Sequence, residues 1–118
     1  MKKKYTIQNA PFVVPTDDGK VIKEHFGNAS DGNSEISIAH MFAPPGWSEP
    51  FQTPEFDEYT IVLKGMLRVE TKGKTFDIKA GEAIITHKGE WILYSTPESG
   101  GAEFRWSGTR RRPHASAS

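Results

Sequence analysis

The chain has 118 residues, with 15 basic against 15 acidic side chains, a formal net charge of zero and no cysteine. That is the size of one domain, and the missing cysteines exclude disulfides, thiolate zinc sites and cysteine nucleophiles. A balanced charge gives no long-range attraction for phosphate backbones or acidic lipids, so neither nucleic acid nor membrane is an expected partner.

The basic start Met1 to Lys4 is followed by polar residues, and Pro11 precedes the short apolar run Phe12 to Val14. This is not a signal-peptide core, and no apolar run approaches the ~18 residues of a spanning helix. A cytoplasmic location is the expectation. With 11 Gly and 8 Pro, the longest stretch free of both runs from Asn33 to Ala43, which leaves almost no place for a helix of ordinary length. The predicted elements are therefore strands: Val21 to Phe26, Glu35 to Phe42, Phe56 to Leu63, Met66 to Thr71, Thr75 to Lys79, Glu82 to His87 and Glu90 to Thr96. Gly65, Gly73, Gly81 and Gly89 recur every eight residues between them, a rhythm of strand and turn. Leu67 and Val69 alternate with Arg68 and Glu70, and Phe76 and Ile78 with Asp77 and Lys79, giving each strand one buried and one wet face. Many short antiparallel strands in a small chain predict a sandwich or barrel.

After Phe104 the sequence shows no further apolar strand, and it ends in Arg110-Arg111-Arg112-Pro113 and a Ser/Ala run. The expected division is a barrel over 1–107 and a tail over 108–118 outside the fold. A barrel short of one strand leaves an open edge, which predicts a homodimer that covers it.

Two stretches carry a resemblance. Gly46 opens one motif, whose second half is matched by Glu58, six residues and Gly65; Gly81 and Gly89 fall at the glycines of another. In this the chain resembles the cupin superfamily, in which a glycine is followed after five residues by His-x-His, then a glutamate and a second glycine. The resemblance implies an all-β, single-domain jelly-roll β-barrel with a small-molecule pocket, often holding a metal through three histidines and the glutamate. Here the histidine positions hold Gln52, Pro54 and Ile92, His87 replaces a proline and Thr96 an asparagine. Only Glu58 of the usual metal shell is kept.

Other ligands are available by period-two alternation. If Ile36, Ile38 and Phe42 point inward, so does His40, and Ala83, Ile85 and His87 share one face of their strand. His40, Glu58 and His87, with Gln52, then form a rearranged shell for one divalent metal. Without metal, Glu58 and His87 are the candidate acid/base pair, and Gln52, Trp91 and Tyr94 the candidate ligand-binding residues. Each has a plainer alternative: a hydrogen-bonded core histidine, a turn histidine, a salt bridge at the barrel mouth, or aromatic packing. The segment Trp47 to Glu58 packs three aromatics and four acids into twelve residues, the composition of a cleft wall, although Glu49, Glu55 and Asp57 read most simply as solvated rim charges. The expected function is binding of a small polar or sugar-like molecule in the barrel, with a metal-dependent isomerase, lyase or dioxygenase as the alternative.

Overall fold

The structure is a computed structural model that describes residues 4–33 and 35–108. Among the described residues nine strands follow one another: β1 (Phe12–Val14), β2 (Val21–Phe26), β3 (Ser37–Ala43), β4 (Trp47–Ser48), β5 (Glu58–Thr71), β6 (Lys74–Lys79), β7 (Ala83–Thr86), β8 (Ile92–Thr96) and β9 (Ala102–Gly108). Every pairing is antiparallel, and together they form one curled sheet, as the alternating patterns predict. Among the described residues no helix is long and apolar enough to cross a membrane.

The two strands expected on either side of Gly65 are one long strand, β5. Its first half pairs with β7 and β9, its second half with β6 and β8. The bend lies at Gly65, whose φ of 77° is in the left-handed region. A Cβ there would collide with the carbonyl oxygen of Gly101, so the two backbones can meet at this corner only because Gly65 has no side chain.

The last strand corrects the expectation of a truncated barrel. β9 lies between β3 and β5, bonded to both. Ala102, Phe104 and Gly108 are buried, Glu103 and Arg105 face outward, and Trp106 packs against the core. The apolar signal was diluted because Arg105 and Ser107 fill the outer face and Gly108 closes the inner one. Gly108, placed outside the barrel by the expected boundary, pairs with both Ser37 and Glu58; the rest of the expected tail lies outside the described residues.

The core gathers Met41, Trp47, Val62, Leu67, Val69, Ile92, Tyr94 and Phe104. On β3 the buried residues are Ala39, Met41 and Ala43, the opposite parity to the expected one. The cross-strand partners explain it: Ala39 lies opposite Trp106 and Met41 opposite Phe104, so small residues of β3 make room for aromatics of β9. His40 therefore faces outward.

Candidate functional site

The inner faces of β2, β3, β5, β8 and β9 and the segment around β4 enclose a cavity of about 190 Å³. Ile22, Met41, Trp47, Phe104 and Trp106 supply its apolar wall, and Lys20, Glu49, Gln52, Glu58, Thr60 and Tyr94 its polar groups. Period two accounts for the polar set on the regular strands: Glu58 and Thr60 alternate with exposed Tyr59 and Ile61, and Tyr94 lies between inward Ile92 and Thr96.

One polar group centres on Glu58, which is 4% exposed. The Tyr94 hydroxyl donates to its Oε1 at 2.7 Å, and Thr86 Oγ1, 3.1 Å from the same hydroxyl, donates to Tyr94 in turn. A phenol has a single proton, so this order follows from the first bond. Burial, and then the neighbouring Glu58 charge, pushes the Tyr94 pKa far above its ordinary value of 10.0. Tyr94 is thus held neutral, as a donor to Glu58.

The second group centres on Glu49. Gln52 Nε2 donates to its Oε2 at 2.7 Å, and Lys20 Nζ lies 3.5 Å from its Oε1. Desolvation raises the Glu49 pKa, against the opposing pull of Lys20 and of the Gln52 hydrogen bond. The Lys20 ammonium also stands over the Trp47 ring, 4.4 Å from its centroid. Trp47 is fixed in turn, because its Nε1 donates to Asp18 Oδ2 at 2.7 Å; that bond is the first cause of a lowered Asp18 pKa. The turn before β2 is thereby pinned to the cavity wall at both Asp18 and Lys20.

The structure brings Gln52, Glu58 and Tyr94 together at the cavity and leaves His40, His87 and Trp91 outside it. His40 Nε2 lies 2.7 Å from Glu103 Oε2 and its ring stacks on Phe42, all on the outer face. His87 follows β7 in an exposed turn, 3.6 Å from Asp57, while Thr86 and Ile84 take the inner positions. Trp91 stacks on the exposed ring of Phe51 at 5.1 Å. His40, Glu58 and His87 accordingly do not converge, and among the described residues no three His, Asp or Glu side chains are grouped to hold a metal. The donors that face the cavity are carboxyls, an amide and hydroxyls without a histidine, so the rearranged shell does not fit the site.

Lys20 and Thr86 have no signal in the sequence pattern, and Glu49, expected as a solvated rim charge, instead lines the cavity with its side chain 15% exposed. Lys20 shares its parity with Ile22, but Val21 is apolar too and the pattern does not choose between faces. Glu49 precedes Gln52 by three residues in irregular chain, where no period applies. Thr86 was passed over for the more reactive His87 beside it.

No protein-family model matches the chain. A curated protein, endoribonuclease YbeY of Myxococcus xanthus, is 43% identical over 95 residues, which cover 80% of this chain and 32% of that protein. The chain thus spans about a third of the length of the curated relative it matches. Among solved structures, an RmlC-like cupin from Shewanella frigidimarina superimposes with a TM-score of 0.74 at 12% identity, covering 95% of each chain. The polyketide cyclase RemF from Streptomyces resistomycificus gives 0.74's near equal, 0.75, at 19% identity over 96% of this chain and 83% of its own. KdgF from Halomonas sp. gives 0.71 at 14% identity over 93% and 96%. The likeness to these three is one of fold: the chain has the cupin-type jelly-roll barrel.

Proposed function

We propose, with the cupin-type barrel as premise, that this chain binds a small polar organic molecule in the cavity between Glu58 and Glu49. The observation that supports this is the pair of polar groups set into an otherwise apolar wall: Glu58 with Tyr94 and Thr86, and Glu49 with Gln52 and Lys20. Burying carboxyls is costly unless their partners are fixed, and a purely structural core is better built from apolar side chains. Preorganised polar groups in an aromatic-lined hollow are what a small ligand requires. Glu58 is also the group suited to proton transfer if the ligand is turned over, with Tyr94 holding the carboxyl in one orientation.

The test is protein-observed NMR with a library of small polar molecules. Binders should shift the indole resonances of Trp47 and Trp106 and lose affinity about tenfold or more in Tyr94→Phe, the scale of one buried hydrogen bond to a charged group. A library that leaves those resonances unmoved would overturn the proposal.

A second role follows from the Myxococcus relative, whose name gives that protein endoribonuclease activity. We propose that a barrel of this kind serves such a nuclease as its small-molecule-responsive part, with RNA cleavage belonging to the remaining length. Cleavage of single-stranded RNA by this chain alone, abolished by Glu58→Gln, would place the nuclease chemistry in the barrel and refute that division.

A further inference from the structure

Among the described residues, four strands have a hydrogen-bonded neighbour on one side only: β1, β4, β6 and β7. Such an edge presents unpaired N–H and C=O groups and recruits other chains unless something blocks it. Three of the four carry a block. β1 lies between Pro11 and Pro15, β4 is two residues long between Pro45 and Pro50, and β6 has Lys74 and Lys79 at its ends. The fourth, β7, reads Ala83-Ile84-Ile85-Thr86, with neither a charge nor a proline.

The open side of β7 is also arranged for pairing. The Glu82 carbonyl accepts from the Val62 N–H of β5, and in an antiparallel ladder successive residues turn their backbone groups to opposite sides. Ile84 and Thr86 therefore bond toward β5, while the N–H and C=O of Ala83 and Ile85 point to the open side. On the outer face, Ile85 and Ala83 lie opposite Tyr59 and Ile61 of β5, and these four side chains share one shallow groove. The apolar surface thus runs up to the unpaired edge.

The occupant that fits is a second copy of the same edge. Two β7 strands related by a two-fold axis normal to the sheet run antiparallel and keep their outer faces on one side, so residues of equal parity lie opposite each other. With the axis at Ile85, its N–H and C=O bond to those of Ile85 in the second copy, and Ile84 lies opposite Thr86. Glu82, just before the strand, then lies opposite Lys88, just after it. That acid–base match occurs twice in one interface. With the axis at Ile84, Glu82 would lie opposite Thr86 and Lys88 opposite Ala80, and neither charge would have a counterpart. Charge therefore selects the register centred on Ile85.

We infer that β7 is a self-association edge, at which two copies of this chain join by antiparallel pairing centred on Ile85. The pairing makes one sheet continuous through both barrels and sets Ile85 and Tyr59 of the two copies side by side across the axis.

The experiment is sedimentation equilibrium of the full chain at neutral pH and low salt. The parent should be a dimer. Ile85→Pro should be a monomer with its circular dichroism unchanged, because proline removes an N–H that β5 does not use and is tolerated on an edge strand. Ile85→Lys, which places a charge on the edge, is the second variant if the proline one fails to fold. Lys88→Glu and Glu82→Lys should each raise the dimer dissociation constant at least about tenfold, since each sets like charges opposite one another twice. The double variant Glu82→Lys with Lys88→Glu should return it to within about threefold of the parent. A monomeric parent, or a dimer that persists in a folded Ile85 variant, would overturn the edge pairing. A double variant that dissociates as readily as the single ones would overturn the register.

Discussion

Tyr94, near the middle of β8, reaches across the barrel interior to Glu58, the first residue of β5, and the two are joined by a hydrogen bond of 2.7 Å although 36 residues separate them in the chain. This bond ties the strand at one side of the cavity to that at the other, so it is at once a structural tie and the feature that orients the carboxyl.

Tyr94→Phe should lower the unfolding free energy by about 1–3 kcal/mol, because it leaves a buried carboxyl and the Thr86 hydroxyl short of a partner. Denaturant unfolding of the two proteins measures this directly. The pH dependence has a definite sign. Tyr94 ionises less readily folded than its ordinary value of 10.0, so its contribution is fully present below pH 10 and is lost as pH rises beyond. The phenylalanine variant should therefore lose less stability than the parent in that alkaline range.

Glu49 titrates with the same sign in a different window. Its pKa is raised above the ordinary 4.5 by burial, so its contribution to stability is complete below about pH 4.5 and falls as pH climbs through the folded value. Glu49→Gln should gain stability relative to the parent as pH is taken from 4.5 toward neutrality. A pH-independent difference across a series of urea titrations would show that the carboxyl is not desolvated.

Gly65→Ala should destabilise the barrel by at least about 2 kcal/mol: the left-handed backbone alone disfavours any Cβ by about 1–2 kcal/mol, and the methyl would fall on the Gly101 carbonyl. Gly73→Ala is the matched control, because its φ is also positive but the space around it is open. Thermal unfolding should rank the two, with Gly65→Ala the lower.

His40→Ala and His87→Ala should leave ligand affinity unchanged, because both rings lie outside the cavity. The His87 substitution should also leave stability within about 0.5 kcal/mol, as for other surface changes. A tenfold loss of affinity in either would mean that the site extends beyond the described cavity.

The expected homodimer needs a different ground, because β9 supplies the strand whose absence suggested it. The outer face provides one. Tyr59, Ile61 and Leu63 of β5 and Ile85 of β7 are 39, 48, 37 and 48% exposed, and Tyr59 lies directly opposite Ile85. Contiguous apolar patches of this kind are rare on monomers, and we propose that a second copy covers it. Light scattering should give a dimer for the parent and a monomer for Ile61→Arg; a monomeric parent would refute self-association.

Much of the architecture was legible in the sequence, because turns announce themselves through glycine and half-buried strands through alternation. Gly65, Gly73, Gly81 and Gly89 all have positive φ, and the second half of β5 has the faces that its alternation implies, whereas on β6 only Ile78 is partly buried and Phe76, expected on the same inner face, is exposed. Facing was harder to read where both faces are apolar. In β3, Ile38 and Phe42 outweigh Ala39, Met41 and Ala43 in hydrophobicity, yet the smaller residues go inside because Trp106 and Phe104 occupy the space across from them. In β7, Ala83, Ile84 and Ile85 offer no contrast at all. The histidines were misplaced by these two ambiguities. Glu58 was found by its spacing from Gly65, and Lys20 was missed because its partner Glu49 is 29 positions away, a distance over which no local pattern carries information.

The position of β9 bears on how the barrel is made. The ninth strand in sequence is inserted between the third and the fifth, so β3 and the first half of β5 have no shared neighbour until Ala102–Gly108 has left the ribosome. Until then both present unsatisfied backbone edges and the apolar lining of the future cavity. Such long-range pairings are slow to form, on the order of milliseconds to seconds in all-β domains. Closure is therefore a late and cooperative event, and the nascent chain is most vulnerable to aggregation and to chaperone capture in the interval before β9 emerges.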